Sequence, residues 1–163
     1  MASQTDLRAR RTLFITSLVG FMVAMEITII SIARNQIAAA FPDAEAATLS
    51  WVITAYNIGV ASLLLPAGWM ADRYGRKKVF LWGLAAFIFG SLLSGVAATP
   101  SLLIGARVVQ SIGGAAQYPA GLALLLSAFP IEHRMRAIGV WGAVSGLAAA
   151  LAPSLGAVLI EGF

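Results

Sequence analysis

Long apolar stretches separated by short polar connections dominate the chain: about Thr12–Ala33, Trp51–Ala71, Val79–Ala98, Leu102–Ala128 and Ala137–Ile160. None alternates with a period of two, and all are too long for buried strands, so the pattern predicts helices. Each stretch is near the ~20 apolar residues that one bilayer crossing needs. In lipid a spanning segment must satisfy its own backbone groups, which a helix does. The expected fold is therefore an all-α, polytopic transmembrane helix bundle over residues 12–163 of about five spans, preceded by a short cytoplasmic segment, residues 1–11.

The connections carry the polar residues. A linker, Asn35–Ser50, holds Pro42, Asp43 and Glu45, and Asp72–Lys78 reads as a tight charged turn. Thr99, Pro100 and Ser101 form the next turn, with Ser101 as the expected cap of the following helix. Phe129–Arg136 is a second charged connection. Trp51 and Tyr56, near the start of the second span, suit a membrane interface.

Composition sharpens this picture. Hydrophobic residues make up 60% of the chain and charged residues 11%, where a soluble domain carries roughly 25% charge; the mean hydropathy is +0.87. The net charge of +4 comes from short basic clusters beside apolar stretches, which fits a membrane surface rather than a nucleic acid. With no cysteine, disulfides and thiol chemistry are excluded, and a single histidine leaves little room for a metal site. The basic start and Leu13–Ile32 lack a small-residue cleavage pattern, so the segment is read as a retained span rather than a signal peptide. No nucleophile with a base, paired carboxylates or phosphate-binding loop marks an enzyme.

Lys and Arg counts set the orientation. Arg8, Arg10, Arg11, Arg73, Arg76, Lys77, Lys78, Arg134 and Arg136 fall on one side and Arg34 on the other, which places the N-terminus in the cytoplasm. After the fifth span the chain ends on the far side at Glu161–Phe163, which reads as a truncation before a sixth helix.

Two ionisable residues lie inside spans: Glu26, midway along the first, and Arg107, about two turns into the fourth. A charge at such a depth costs ~2.5–3.5 kcal/mol on insertion scales and persists where it faces a partner, a bundle interior or water. Withdrawal from water favours the neutral form of a carboxyl, the property a proton carrier requires. Against these roles stand a structural hydrogen bond for Glu26 and a snorkelling Arg107 at the outer interface.

The run Gly68-Trp69-Met70-Ala71-Asp72-Arg73-Tyr74-Gly75-Arg76-Lys77-Lys78 resembles the signature loop of the major facilitator superfamily, with Met70 in a leucine position. Gly68 admits a neighbouring helix and Gly75 permits the sharp turn. Asp72 can pair with Arg76 or face the positive end of a helix. The resemblance implies that Gly68, Asp72, Arg73, Gly75, Arg76 and Lys77 act as a conformational latch between two halves of a transporter. Arg107-Val108-Val109-Gln110-Ser111-Ile112-Gly113 is similar to the family's fourth-helix motif, with Ser111 in place of the usual glycine. It implies a buried arginine that modulates protonation of a nearby acid.

Met25-Glu26-Ile27-Thr28-Ile29-Ile30-Ser31-Ile32-Ala33-Arg34-Asn35 resembles the first helix of the superfamily's drug:proton antiporters, with glutamate for aspartate and Arg34-Asn35 for leucine-proline. On the fifth span, Gly139, Pro153 and Gly156 match the antiporter glycine pattern, while Ala148, Ala152 and Ala157 replace glycines; Gly142 and Gly146 add small residues for close helix contact. Trp51-Val52-Ile53-Thr54-Ala55-Tyr56 looks like the start of the second helix in fourteen-span exporters. The resemblance implies inverted three-helix repeats in which the first and fourth helices line a central cavity.

It further implies a multi-pass protein of the bacterial inner membrane. Its expected function is alternating-access efflux of lipophilic or cationic compounds, driven by the proton gradient without a cofactor. The expected partners are the bilayer, protons, a small-molecule substrate and a missing C-terminal half. Gln110, Gln117, Tyr118 and Trp141 are candidates for contact with that substrate. Two alternatives stay open: a superfamily transporter of a sugar, metabolite or siderophore, and a non-transporting fragment or membrane interaction module.

Overall fold

The computed structural model describes residues 4–161, with side chains over 7–156. Met1–Ser3 of the expected cytoplasmic segment, and Gly162–Phe163, lie outside the described residues. The elements are α1 (Gln4–Ile32), α2 (Arg34–Ala40), α3 (Ala46–Tyr74), α4 (Arg76–Gly95), α5 (Pro100–Ala128) and α6 (Ile131–Glu161). No strand occurs among the described residues.

The helices run further into the polar connections than the hydropathy pattern indicates. The expected linker Asn35–Ser50 is mostly helical: only Ala33 separates α1 from α2, and the Ile37 amide still donates to the Ala33 carbonyl. With Arg34-Asn35 where a proline would stand, nothing removes a backbone donor, and helical hydrogen bonding continues to the Phe41-Pro42 stop. Likewise, Phe129 and Pro130 alone separate α5 from α6, so Glu132–Arg136 belong to a helix rather than to a connection. The α5 cap is Thr99, whose hydroxyl accepts from the Leu102 amide at 3.2 Å, and not Ser101. Pro100 follows it at a first-turn position, where a missing N–H costs nothing.

Among the described residues, four helical segments are long and apolar enough to cross a membrane, Leu7–Ile32, Ala46–Tyr74, Arg76–Gly95 and Ile131–Gly156. The segment expected as the fourth span, α5, has 29 residues but is diluted by Arg107, Gln110, Ser111 and Gln117, all buried. Its polar groups turn into the bundle, against its neighbours. Elsewhere the apolar surface faces outward: Leu65 is 84% exposed and Phe14 68%, which water would penalise and lipid does not.

The α5 helix packs against α4 and α3, α1 packs against α6, and α1 meets α5 between these groups. Helix α3 on α5 thus mirrors α6 on α1, the relation expected of inverted repeats. Val19, Ala71, Val79, Phe80 and Ala120 form one core cluster, and Val23, Tyr56 and Phe87 another.

Glycine decides the α4–α5 contact. A Cβ on Gly90 would stand 2.6 Å from the Gln110 backbone nitrogen, and one on Gly83 would stand 2.8 Å from the Ala116 Cβ. That close approach lets the Gln117 side-chain amide donate to the Gly83 carbonyl at 3.1 Å. Lipid tails are as apolar as leucine, so such intimate packing, not hydrophobic exclusion, holds helices together here. Gly90→Ala should therefore push α4 off α5 and cost about 1–3 kcal/mol, seen as a lower unfolding temperature in detergent. Gly105→Ala, where nothing lies within 4 Å, should leave that temperature unchanged or slightly raised.

Candidate functional site: a buried ion pair between α1 and α5

Helix α5 carries Arg107 at its inner face, where the side chain is 1% exposed; it does not snorkel. Its Nη1 donates to Glu26 Oε1 on α1 and to Gln110 Oε1 at 2.5 Å. Its Nε donates to the Val52 carbonyl on α3 at 3.4 Å. The guanidinium carbon lies 4.7 Å from the Tyr56 ring centroid, within cation–π range. Glu26 keeps 26% of its side-chain surface, so the pair is closed on the arginine side and open on the carboxylate side.

Local sequence places these groups. Gln110 follows Arg107 by three residues, and Val52 precedes Tyr56 by four, so each pair shares a helix face. Gly114 makes room for the tyrosine: a Cβ there would meet the Tyr56 hydroxyl at 2.8 Å. Tyr56, expected at the interface, is instead 1% exposed. The available signal was its four-residue spacing from Val52 on a helix facing a charged neighbour. Trp51, by contrast, is 52% exposed.

Arg107 Nη2, Gln110 Nε2 and the Tyr56 hydroxyl are buried without a hydrogen-bond partner. Chemically, this cluster has spare donors beside one carboxylate that the described helices do not fully enclose. Arginine stays charged at any accessible pH, so the cluster holds a fixed positive charge beside the Glu26 carboxyl.

The other candidates separate. Gln117, Tyr118 and Trp141 share a cleft of about 10 Å³ with Thr16, Gly20 and Val23, far below the ~300 Å³ of a typical ligand site. Tyr118 and Trp141 meet edge to face at 6.2 Å, and Trp141 Nε1 donates to the Thr16 carbonyl at 3.1 Å. Gln110 belongs to the ion pair instead. On α6, Gly139, Gly142 and Gly146 have nothing within 4 Å of an added Cβ, so the close contact expected of them is not made with the described helices; Gly156 does approach Ile32, at 3.4 Å. Pro153 sits within α6 and is exposed.

At the end of the bundle shared by the N-terminal turns of α1, α4 and α6, Gly75 turns the chain with φ +104°. Arg76 reaches Asp72 at 3.4 Å, the Ser127 hydroxyl at 2.5 Å and the Ala123 carbonyl at 3.3 Å. The α5 C-terminus has no basic residue in its own last turn, and Arg76 supplies the positive charge its carbonyls favour. The Asp72–Arg76 pair is itself exposed on both sides. Arg73 lies 5.5 Å from the Trp69 ring, and a Cβ added to Gly68 would meet Pro119 at 3.7 Å. Lys77 borders a groove with Thr12, Ile15 and Leu124.

Arg107→Ala should destabilise the protein by about 3 kcal/mol, the low end for breaking a buried pair, because Glu26 is only partly enclosed. Glu26→Gln should cost at least as much: its amide oxygen still accepts from the guanidinium, but the enclosed positive charge loses its counter-ion. Thermal unfolding of the two variants in the same detergent checks the order.

Comparison with known proteins places the sequence in a family. The chain is 36% identical over 146 residues to a methylenomycin A resistance protein of Streptomyces coelicolor, covering 88% of this chain and 30% of that protein. It is 35% identical over 151 residues to the multidrug resistance protein Stp of Mycobacterium tuberculosis, covering 92% and 28%. With multidrug resistance protein 3 of Bacillus subtilis it shares 38% identity over 140 residues, covering 86% and 27%. The chain thus spans somewhat under a third of the length of these curated relatives. The family model of the Major Facilitator Superfamily matches residues 10–163, and this chain, a multi-pass membrane protein and not an enzyme, belongs to that transporter superfamily.

Proposed function

We propose that the chain supplies the proton-coupling helices of an exporter of lipophilic, cationic drug-like compounds, driven by the proton gradient with no cofactor. The observation that carries this reading is the Glu26–Arg107 pair, formed across α1 and α5 inside an otherwise apolar shell. The names of the relatives, which speak of methylenomycin A and multidrug resistance, support drug-like compounds as substrates.

The proposed mechanism follows from the asymmetry of the pair. A proton arriving at the partly exposed Glu26 removes the counter-ion of Arg107 and leaves a buried positive charge, a state the bundle relieves by moving α1 relative to α5. Gln110 and the Tyr56 ring keep the guanidinium partly satisfied during that movement. A cationic substrate competes with the proton for the same carboxylate, which couples entry of one to release of the other. By the positive-inside rule the end carrying Arg10, Gly75 and Arg136 faces the cytoplasm. There Gly68, Asp72, Arg73, Gly75, Arg76 and Lys77 would latch the conformations, with the open glycine face of α6, including Gly139, Gly142 and Gly146, free to meet the rest of a transporter.

The test is efflux of a fluorescent cationic dye from bacterial cells producing the full gene product that contains this sequence. The native protein should extrude dye until a protonophore collapses the gradient, and Glu26→Gln should lose at least tenfold of that rate while inserting normally. Dye efflux unchanged by Glu26→Gln would remove Glu26 as the proton carrier; efflux indifferent to the protonophore would remove proton coupling.

A further inference from the structure

The groups that hold Arg107 are divided unequally among the helices. The Val52 carbonyl and the Tyr56 ring come from α3, and the Gln110 amide oxygen comes from α5 itself. Glu26 alone comes from α1. Helix α3 packs along α5, whereas α1 packs chiefly on α6 and barely meets α3. We propose that Tyr56 is a positioning residue that keeps the guanidinium on the α3–α5 pair, so that Glu26, carried by α1, is the partner that departs when the ion pair opens.

Tyr56 is held at both ends. Its ring lies 4.7 Å from the guanidinium carbon, and the side chain clusters with Val23 of α1 and Phe87 of α4. Its hydroxyl lies over Gly114, where a Cβ would stand 2.8 Å away. Arg107 and Gly114 are seven residues apart, two turns along one face of α5, so that face engages ring and hydroxyl together. The hydroxyl is buried without a hydrogen-bond partner among the described residues, and an unpaired buried donor is a cost rather than a tie. The π face is therefore the part that serves the arginine. Its hold strengthens when the carboxylate is neutralised, because a desolvated cation without its counter-ion draws more from a neighbouring ring. Gly114 is the matching element on α5: a side chain there would press on the hydroxyl and tilt the ring away from the charge.

The role in transport rests on the coupling reading above, but the ring's hold on the arginine is measured without transport. The purified full gene product is unfolded thermally in neutral detergent as the native protein, Tyr56→Phe and Tyr56→Leu, each with and without Glu26→Gln. Leucine leaves the same gap in both backgrounds, so the difference between them reads the contact with the charge. Tyr56→Leu should lower the unfolding temperature about twice as far with Glu26→Gln as without it, and Tyr56→Phe should leave it level or raise it in both. Gly114→Ala should lower it, and adding Tyr56→Phe, which removes the obstructing oxygen, should recover that loss. In dye efflux, Tyr56→Phe should restore most of what Tyr56→Leu loses. Equal effects of Tyr56→Leu in the two backgrounds would reduce the ring to packing and overturn the proposal. So would a Tyr56→Phe variant as impaired as Tyr56→Leu, or a Gly114→Ala defect that Tyr56→Phe does not relieve. Efflux unchanged by Glu26→Gln removes the coupling reading, while the thermal comparison still decides whether the ring holds the arginine.

Discussion

A guanidinium that cannot shed its charge sits nearly sealed inside this bundle, and the rest of the structure is arranged around satisfying it. Arg107 takes a carboxylate from α1, a carbonyl and an aromatic face from α3, and an amide oxygen from its own helix. In a low-dielectric interior each of these partners is worth more than in water, and the loss of any one is felt more. The requirement draws α1, α3 and α5 to one point. It also explains why α5 is the long helix most enclosed by others.

Helices in lipid gain little from hiding apolar side chains, so the approach that brings these polar groups into range is built from small residues. Gly83 and Gly90 let α4 lie against the α5 backbone, and Gly114 admits the Tyr56 hydroxyl. Hydroxyls are handled differently: Thr28 and Ser145 turn back to the carbonyls of Ala24 and Trp141 on their own helices. That leaves their outer faces without unsatisfied groups. Polar groups aimed between helices are thereby reserved for a small set of positions, chiefly Arg107, Gln110, Gln117 and Glu26.

The basic end of the bundle is held by the same economy of charge. Arg76, at the start of α4, closes the C-terminus of α5 and touches Asp72 at the end of α3. Three helices therefore meet at one exposed side chain. The Asp72–Arg76 pair by itself contributes little in water, ~0–1 kcal/mol. What Arg76 adds is a mechanical tie between the α3–α4 turn and the far end of the helix that bears Arg107.

Residue pattern alone determined the helical class, the positions of the apolar segments, the sidedness of basic residues and the two interior charges. Each follows from a local cost: unmet backbone groups in lipid, or a charge withdrawn from water. Helix ends were less legible, as α2 and the start of α6 show, because hydropathy marks where lipid contact stops and not where backbone hydrogen bonding does. Tertiary structure alone decided that Tyr56 stacks on Arg107 rather than facing the interface. It also parted Gln110 from Gln117, Tyr118 and Trp141, and left Gly139, Gly142 and Gly146 without a packed neighbour among the described residues. These outcomes depend on which helix faces which, and a linear pattern of small and apolar residues is compatible with contact on more than one side.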